Sequence, residues 1–180
     1  MTSKEKLIDI SMLLGTAAAV LISAFAGFAK ECDAAHDSTF RLHILANSDS
    51  VQDQRIKYAL RDHMTDDLGA IFASCSTKDE TKALAQRNLP YIELRANEFL
   101  DEQGCGYTAV CEVCEDEFPT RVYADRTLPS GTYDTLKIVL GSGKGKNWWC
   151  VLYPSVCIGA ASSSKSPLPS RELYENRKNA

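Results

Sequence analysis

The sequence predicts an α+β fold, and three observations carry that prediction. Residues 39–46 alternate apolar and polar, as a strand with one buried face does. Between about 51 and 103 the apolar residues recur at helical spacing. From Gly106 to Tyr153 the period returns to two. The expected order is an N-terminal strand, about three helices and then an antiparallel sheet meander, all preceded by an apolar leader.

The leader has Lys4 and Lys6 ahead of an apolar run from Met12 to Ala29. A positive flank followed by such a run is an export signal, with small residues (Ala24 and Ala26, or Gly27 and Ala29) at a cleavage-like spacing. The run is also long enough to span a bilayer. Residues 1–30 are therefore a signal peptide or a membrane anchor. Either way, the positive flank stays inside and the chain after Lys30 lies outside the cytosol. Polar residues 31–38 read as a tether, residues 39–158 as one globular domain, and the Ser-, Pro- and charge-rich residues 159–180 as a disordered tail. A net charge of -4 without a basic stripe argues against nucleic acid as a partner.

In the first strand Phe40, Leu42, Ile44 and Ala46 share one side, and Arg41, His43 and Leu45 share a wetter one. The turn Asn47-Ser48-Asp49-Ser50 consists of cap-forming residues, and Ser50 with Asp53 resembles a capping box. A helix follows over 51–72, with Ile56, Leu60, Met64, Leu68 and Phe72 inward and Asp53, Lys57 and Arg61 on the solvated face. Ser76 to Glu80 caps a second helix running to about Asn88. Pro90 suits the first turn of a third, whose stripe is Ile92, Ala96, Phe99 and Leu100 and whose end is Gly104. Strands are expected from Tyr107 to Cys114, from Thr120 to Ala124, after the turn at Leu128–Gly131, and from Trp148 to Tyr153.

Seven cysteines are an odd count for an exported chain, where oxidation favours pairing. Cys111 and Cys114 lie three apart on a strand and so face opposite ways, which argues against a shared metal. Cys150 and Cys157, across a proline-containing turn, are the disulfide candidates. No metal and no cofactor is expected.

The stretch Gly141-Ser142-Gly143-Lys144-Gly145-Lys146 precedes both tryptophans, Trp148 and Trp149. Three chemistries compete for it: a phosphate cradle, a shaped hairpin loop and a protein-recognition loop. The Walker spacing fails, and the loop leads into a strand rather than the helix N-terminus that phosphate loops use. Neighbouring strand residues face opposite ways, so one tryptophan is expected in the core and the other either covered or presented to a partner. His43 and His63, Ser48 and Ser50, and Asp49 and Asp53 are the residues a hydrolase would draw on. None sits in a nucleophile elbow or a metal-binding spacing, so no catalytic set is expected.

Two motifs carry a resemblance. Residues 41–50, Arg-Leu-His-Ile-Leu-Ala-Asn-Ser-Asp-Ser, continue into Asp53-Gln54, Lys57 and Arg61-Asp62. This resembles the N-terminal signature of the stage II sporulation protein R family. Residues 141–157, with the core Asn147-Trp148-Trp149-Cys150-Val151-Leu152, resemble that family's second signature and depart from it at Tyr153–Val156. The match spans about residues 40–158.

The resemblance implies a non-enzymatic signalling protein of endospore formers, secreted from the forespore into the intermembrane space. There it would activate a membrane-embedded aspartic protease that processes the precursor of the mother-cell sigma factor, with no small-molecule substrate. The alternative is an envelope hydrolase acting on cell wall in the same compartment. The expected partner-binding residues are Asn47, Ser48, Asp49, Ser50 and Asp53 from the turn, with Gly143, Lys144, Gly145, Asn147, Trp148 and Trp149 from the loop. The two segments are expected to lie side by side.

Overall fold

A computed structural model describes residues 3–123 and 127–154. It contains three helices, α1 (Ser3–Ser38), α2 (Val51–Phe72) and α3 (Lys78–Glu102). The strands are β1 (Phe40–Leu45), β2 (Ala109–Phe118), β3 (Arg121–Val122), β4 (Thr127–Leu128), β5 (Gly131–Leu140) and β6 (Asn147–Tyr153). This is the α+β class expected. The chain forms two compact units. The first takes residues up to Asp37 together with Pro119–Gly131, and the second takes Ser38–Phe118 and the chain from Thr132 onward. Cys157 and the 159–180 tail lie outside the described residues.

In the first unit, α1 includes the stretch Asp9–Ser38, which holds an 18-residue apolar window of mean hydropathy 2.0, fully exposed. It is long and apolar enough to cross a membrane, which is compatible with a signal sequence or an anchor. Helix continues through residues 31–38, read above as a tether. Strands β3 and β4 of the same unit pair antiparallel.

The second unit is a four-stranded sheet, in the order β2-β5-β1-β6, with α2 and α3 on one face. Here the structure corrects the expected meander. Strand β1 lies between β5 and β6, parallel to β5 (Leu42 opposite Leu136) and antiparallel to β6 (Leu42 opposite Cys150). A central strand is buried on both faces, and β1 is: Arg41 and His43, assigned to a wetter side, are buried along with Phe40, Leu42 and Ile44.

Arg41 is tolerated there because its guanidinium lies between two rings, 4.0 Å from the Phe118 centroid and 4.8 Å from that of Tyr133. Each such contact contributes about 2 kcal/mol when desolvated. Removing the charge from water costs several kcal/mol, so the stack offsets part of that cost and hydrogen bonds must supply the rest. One of these runs from Arg41 Nε to the Cys150 carbonyl at 3.5 Å.

Helix α2 buries Ile56, Leu60, Met64, Leu68 and Phe72 as the spacing predicts, but also Asp53 and Lys57, which the charge pattern places in solvent. Thr77 caps α3, accepting a hydrogen bond from the Glu80 amide, while the Glu80 carboxylate accepts from the Ser76 amide at 2.7 Å. Pro90, expected to open a separate helix, sits inside α3 instead. Its ring removes one backbone hydrogen bond, yet Ala85 before it and Ile92, Ala96, Phe99 and Leu100 after it are all buried. Continuing the helix keeps both apolar segments on the sheet.

Side chains of α3 also protect the sheet edge. Asn97 accepts from the Ala109 amide (2.8 Å) and donates to its carbonyl (3.0 Å), and Glu93 accepts from the Cys111 amide (2.8 Å). At the other end of α3, Lys78 (2.8 Å) and Lys82 (2.6 Å) grip Asp134 of β5.

Replacing Pro90 with alanine restores the missing amide donor. The expected outcome is a gain of up to about 3 kcal/mol in urea unfolding followed by circular dichroism. A lower midpoint would mean that α3 requires the local shape the proline imposes.

Candidate functional site

The segment between β1 and α2 and the loop between β5 and β6 are joined by a dense set of hydrogen bonds. The loop supplies the donors. Ser142 N donates to Asn47 Oδ1 (2.9 Å), Lys144 N to Asn47 O (3.2 Å), Gly145 N to Ala46 O (2.8 Å) and Lys146 N to Asp49 Oδ1 (2.7 Å). The Ser142 hydroxyl adds a bond to Asn47 O at 2.7 Å. The two remaining amides, of Gly141 and Gly143, donate to Thr108 O and Leu140 O. All six amides from 141 to 146 are thus spent inside the protein. No phosphate can be cradled by them. Because β1 lies between β5 and β6, the loop crosses the end of β1 rather than closing a hairpin, so the expected hairpin loop is corrected and the recognition-loop reading is what remains.

The glycines make this approach possible. Gly141 has φ +55, and a Cβ there would meet Asn47 Oδ1 at 2.4 Å. At Gly145 a Cβ would lie 2.3 Å from the Ser48 carbonyl oxygen. That neighbour is backbone and cannot step aside.

The turn is held from within as well. Ser50 caps α2, its hydroxyl accepting from the Asp53 amide at 3.1 Å, so this half of the expected capping box is present. The carboxylate of Asp53 turns elsewhere, accepting from Asn47 Nδ2 (3.0 Å), the Ser48 hydroxyl and the Tyr107 hydroxyl (2.8 Å). Burial would raise the pKa of Asp53, but the hydrogen bonds from Ser48, Tyr107, Asn47 and Ser50 outweigh it and hold the carboxyl below its ordinary value. Burial and the same carboxylate push the Tyr107 hydroxyl well up. Asp53 is therefore ionised and Tyr107 neutral, the states this bonding pattern requires.

Beneath the loop lies Lys57, with no exposed surface. Its ammonium donates to Gln54 Oε1 (2.8 Å) and to the Lys146 carbonyl (2.9 Å). Burial lowers its pKa to about 8; Asp49 opposes the shift, and Lys146 and Arg61 add to it.

Both tryptophans are half-buried, whereas the sequence pattern places one of them in the core. Trp148 packs against the helix-side core, with the Arg61 guanidinium 5.5 Å from its ring centroid. Trp149 lies on the other sheet face, stacked on His43 at 5.6 Å. His43 Nδ1 is 2.7 Å from Asp116 Oδ2, and Lys137 is 3.1 Å from the same carboxylate. His43 Nε2 is buried and has no hydrogen-bond partner among the described residues. His63 is stacked on Phe99 at 5.1 Å.

Of the sequence-derived site residues, the structure brings Asn47, Ser48, Asp49, Ser50 and Asp53 together with the loop residues Gly143, Lys144 and Gly145. Asn147, Trp148 and Trp149 follow directly in β6. Sequence reasoning missed Lys57, Tyr107 and Asp116. A buried lysine resembles any helix-face lysine. Asp116 meets His43 only through the β2-β5-β1 strand order, of which local pattern carries no trace. Cys150 is disulfide-bonded, and Cys157, its expected partner, lies outside the described residues.

The family model described as Stage II sporulation protein R (spore_II_R) matches residues 36–163. A curated relative, Stage II sporulation protein R of Bacillus subtilis (strain 168), is 36% identical over 121 residues, covering 67% of this chain and 54% of the relative. The chain thus spans about half the length of the curated relative it matches. No solved structure matches the chain.

Two predictions follow from the geometry. Gly145→Ala forces the loop off the turn, with an expected loss of about 1–3 kcal/mol in urea unfolding and faster exchange of the 142–146 amides in hydrogen-exchange NMR. Lys57 gives a pH signature. Its folded pKa, about 8, lies below the ordinary 10.5, so between those values the unfolded chain binds the extra proton. Stability should then rise with pH across that window. Lys57→Met should flatten the rise in unfolding midpoints measured from pH 7.5 to about 10.5; a slope unchanged by the substitution would refute the assignment.

Proposed function

Because the chain belongs to the stage II sporulation protein R family and so has a role in sporulation, we propose that it works there as a signal rather than as a catalyst. In this reading it is exported from the forespore into the intermembrane space, through or anchored by its apolar helix. There it activates a membrane-embedded aspartic protease, which leads to processing of the mother-cell sigma factor precursor. The observation that carries the reading is the locked pair of segments. The two stretches that bear the family signatures form one surface, and their polar groups are spent on holding its shape.

A ligand activates a receptor only by binding its active state better than its inactive one. A full switch needs about 5.5 kcal/mol of differential affinity. One well-seated tryptophan contributes 2 kcal/mol or more at interfaces of this kind, so Trp148 plus a few neighbours is a sufficient source. Asn47 and Asp49 act one step back, by fixing the loop that leads to Trp148.

An envelope hydrolase is the second reading, and the His43–Asp116 pair is the observation in its favour. A base held by a carboxylate is half of a nucleophile-activating set. The pair is stacked under Trp149, and no hydroxyl or thiol reaches His43 Nε2 among the described residues.

Single substitutions Trp148→Ala, Trp149→Ala, Asn47→Ala and Asp49→Ala, at matched protein level, should reduce precursor processing. The effect at Trp148 should be about 30-fold, the equivalent of 2 kcal/mol. Full processing by all four variants would remove this surface from the signalling reaction. Purified protein incubated with cell wall, with and without chelator, tests the hydrolase. Turnover abolished by His43→Ala would establish that reading in place of ours.

A further inference from the structure

This inference rests on the reading of the loop and turn as a contact surface, and it concerns the chemistry of what they meet. The chain carries a net charge of -4, yet cations gather here. Lys57 and Arg61 come from α2, Lys144 and Lys146 from the loop. The ammonium of Lys57 is buried against two uncharged oxygens, Gln54 Oε1 and the Lys146 carbonyl. Arg61 lies over two rings, 5.3 Å from Tyr58 and 5.5 Å from Trp148, with Asp62 as its carboxylate. Lys144 and Lys146 are exposed, and among the described residues neither ammonium has a carboxylate within ion-pair distance.

The nearby carboxylates are already engaged. Asp49 accepts from the Lys146 amide, and Asp53 accepts from Asn47, Ser48 and Tyr107. Burial is the main cause of the lowered pKa of Lys57 and the Asp49 carboxylate opposes it, while Lys146 and Arg61 add a smaller cationic repulsion. An incoming anion would relieve it.

We infer that this surface takes an acidic protein segment, with carboxylates against Lys144 and Lys146 and an apolar side chain on Trp148. Charge complementarity selects the sign. Two features favour a protein over an anionic membrane. Polybasic membrane sites gather about 4–8 lysines or arginines at about 1 kcal/mol each, and this surface presents two free-standing lysines. The loop is also fixed in shape by six internal amide bonds, which suits a partner with a shape of its own.

The test uses the full chain in phosphatidylcholine nanodiscs, titrated with a short glutamate-rich peptide carrying one central phenylalanine. A lysine-rich peptide of the same length is the control, and nanodiscs containing phosphatidylglycerol are a third arm. The acidic peptide should shift the Trp148 indole and the 144–146 amides in NMR spectra and raise the pKa of Lys57. Its affinity should fall with added salt, and fall about tenfold in Lys144→Glu/Lys146→Glu. No shift with the acidic peptide, equal binding of both peptides, or a response to phosphatidylglycerol alone would overturn the inference.

The same double variant in the precursor-processing assay separates this inference from the reading beneath it. If Trp148→Ala abolishes processing and the double charge reversal leaves it intact, the contact surface stands and its acidic partner does not. If neither change matters, the contact surface itself is wrong.

Discussion

The backbone amides of residues 141–146 determine the rest of the site. An unpaired amide in a half-buried loop costs about 1–3 kcal/mol, so six of them cannot be left without acceptors. Four find acceptors on the segment that links β1 to α2: the Ala46 and Asn47 carbonyls and the side chains of Asn47 and Asp49. This is possible because β1 and β5 are neighbours and parallel, so that their C-terminal ends emerge side by side. The turn must then expose carbonyls and short polar side chains, and the loop must be thin enough to approach them. Asn-Ser-Asp-Ser on one side and alternating glycines on the other meet both demands. The turn and the glycine loop are in this sense one structural unit, separated by about ninety residues of chain.

The local grammar of the fold was legible in the sequence. The Ser50 cap, the Thr77 cap, the α2 stripe and the Gly104 end of α3 all follow from side chains acting within a few residues of themselves. The juxtaposition of turn and loop was also within reach, because two motif-rich segments on a small domain have few places to be. What local pattern could not carry was pairing at long range. Alternation in residues 40–46 is satisfied equally by an edge strand with one wet face and by a central strand whose polar face is covered. The second holds here because Phe118 and Tyr133 cover Arg41, and Asp116 bonds His43. Those partners lie more than seventy residues away. Pro90 misled for a different reason: a local penalty of a few kcal/mol was outweighed by apolar burial on both sides of it.

The two faces of the sheet have separate tasks. One packs Leu42, Ile44, Leu136 and Ile138 against α2 and α3 and supplies the core. The other holds Arg41, His43, Lys137 and Asp116, a polar layer built from charges in contact with rings and with one another. Here burial of Asp116 works against its ionised form, while His43 and Lys137 more than compensate and keep its pKa below the ordinary value. Layers of this kind cost more desolvation than an apolar one, and they are tolerated where partners are close and well aligned. Histidine and carboxylate at 2.7 Å resemble part of a catalytic set, yet the same geometry is what a buried histidine in a polar layer needs simply to be satisfied at Nδ1.

In the proposed signalling role, rigidity of the clamped loop is the property that would matter. Ordering one residue costs about 1–2 kcal/mol of backbone entropy. If the six loop residues were ordered only on meeting a receptor, that cost, about 6–12 kcal/mol, would exceed the roughly 5.5 kcal/mol needed to throw a two-state switch. Because the amides are already bonded to the turn, the cost falls on folding of the domain, and binding free energy remains available for discriminating the receptor's two states. A catalyst would need some of those polar groups free to face a substrate. Here Asn47, Ser48, Asp49, Ser50 and Asp53 are each committed to backbone, to Tyr107 or to one another, and what remains at the surface is the half-buried Trp148 beside Arg61, with the exposed Lys144 and Lys146 in the loop before it. An arrangement that spends its hydrogen-bonding capacity on its own shape, and offers charge and an aromatic face outward, is suited to being recognised.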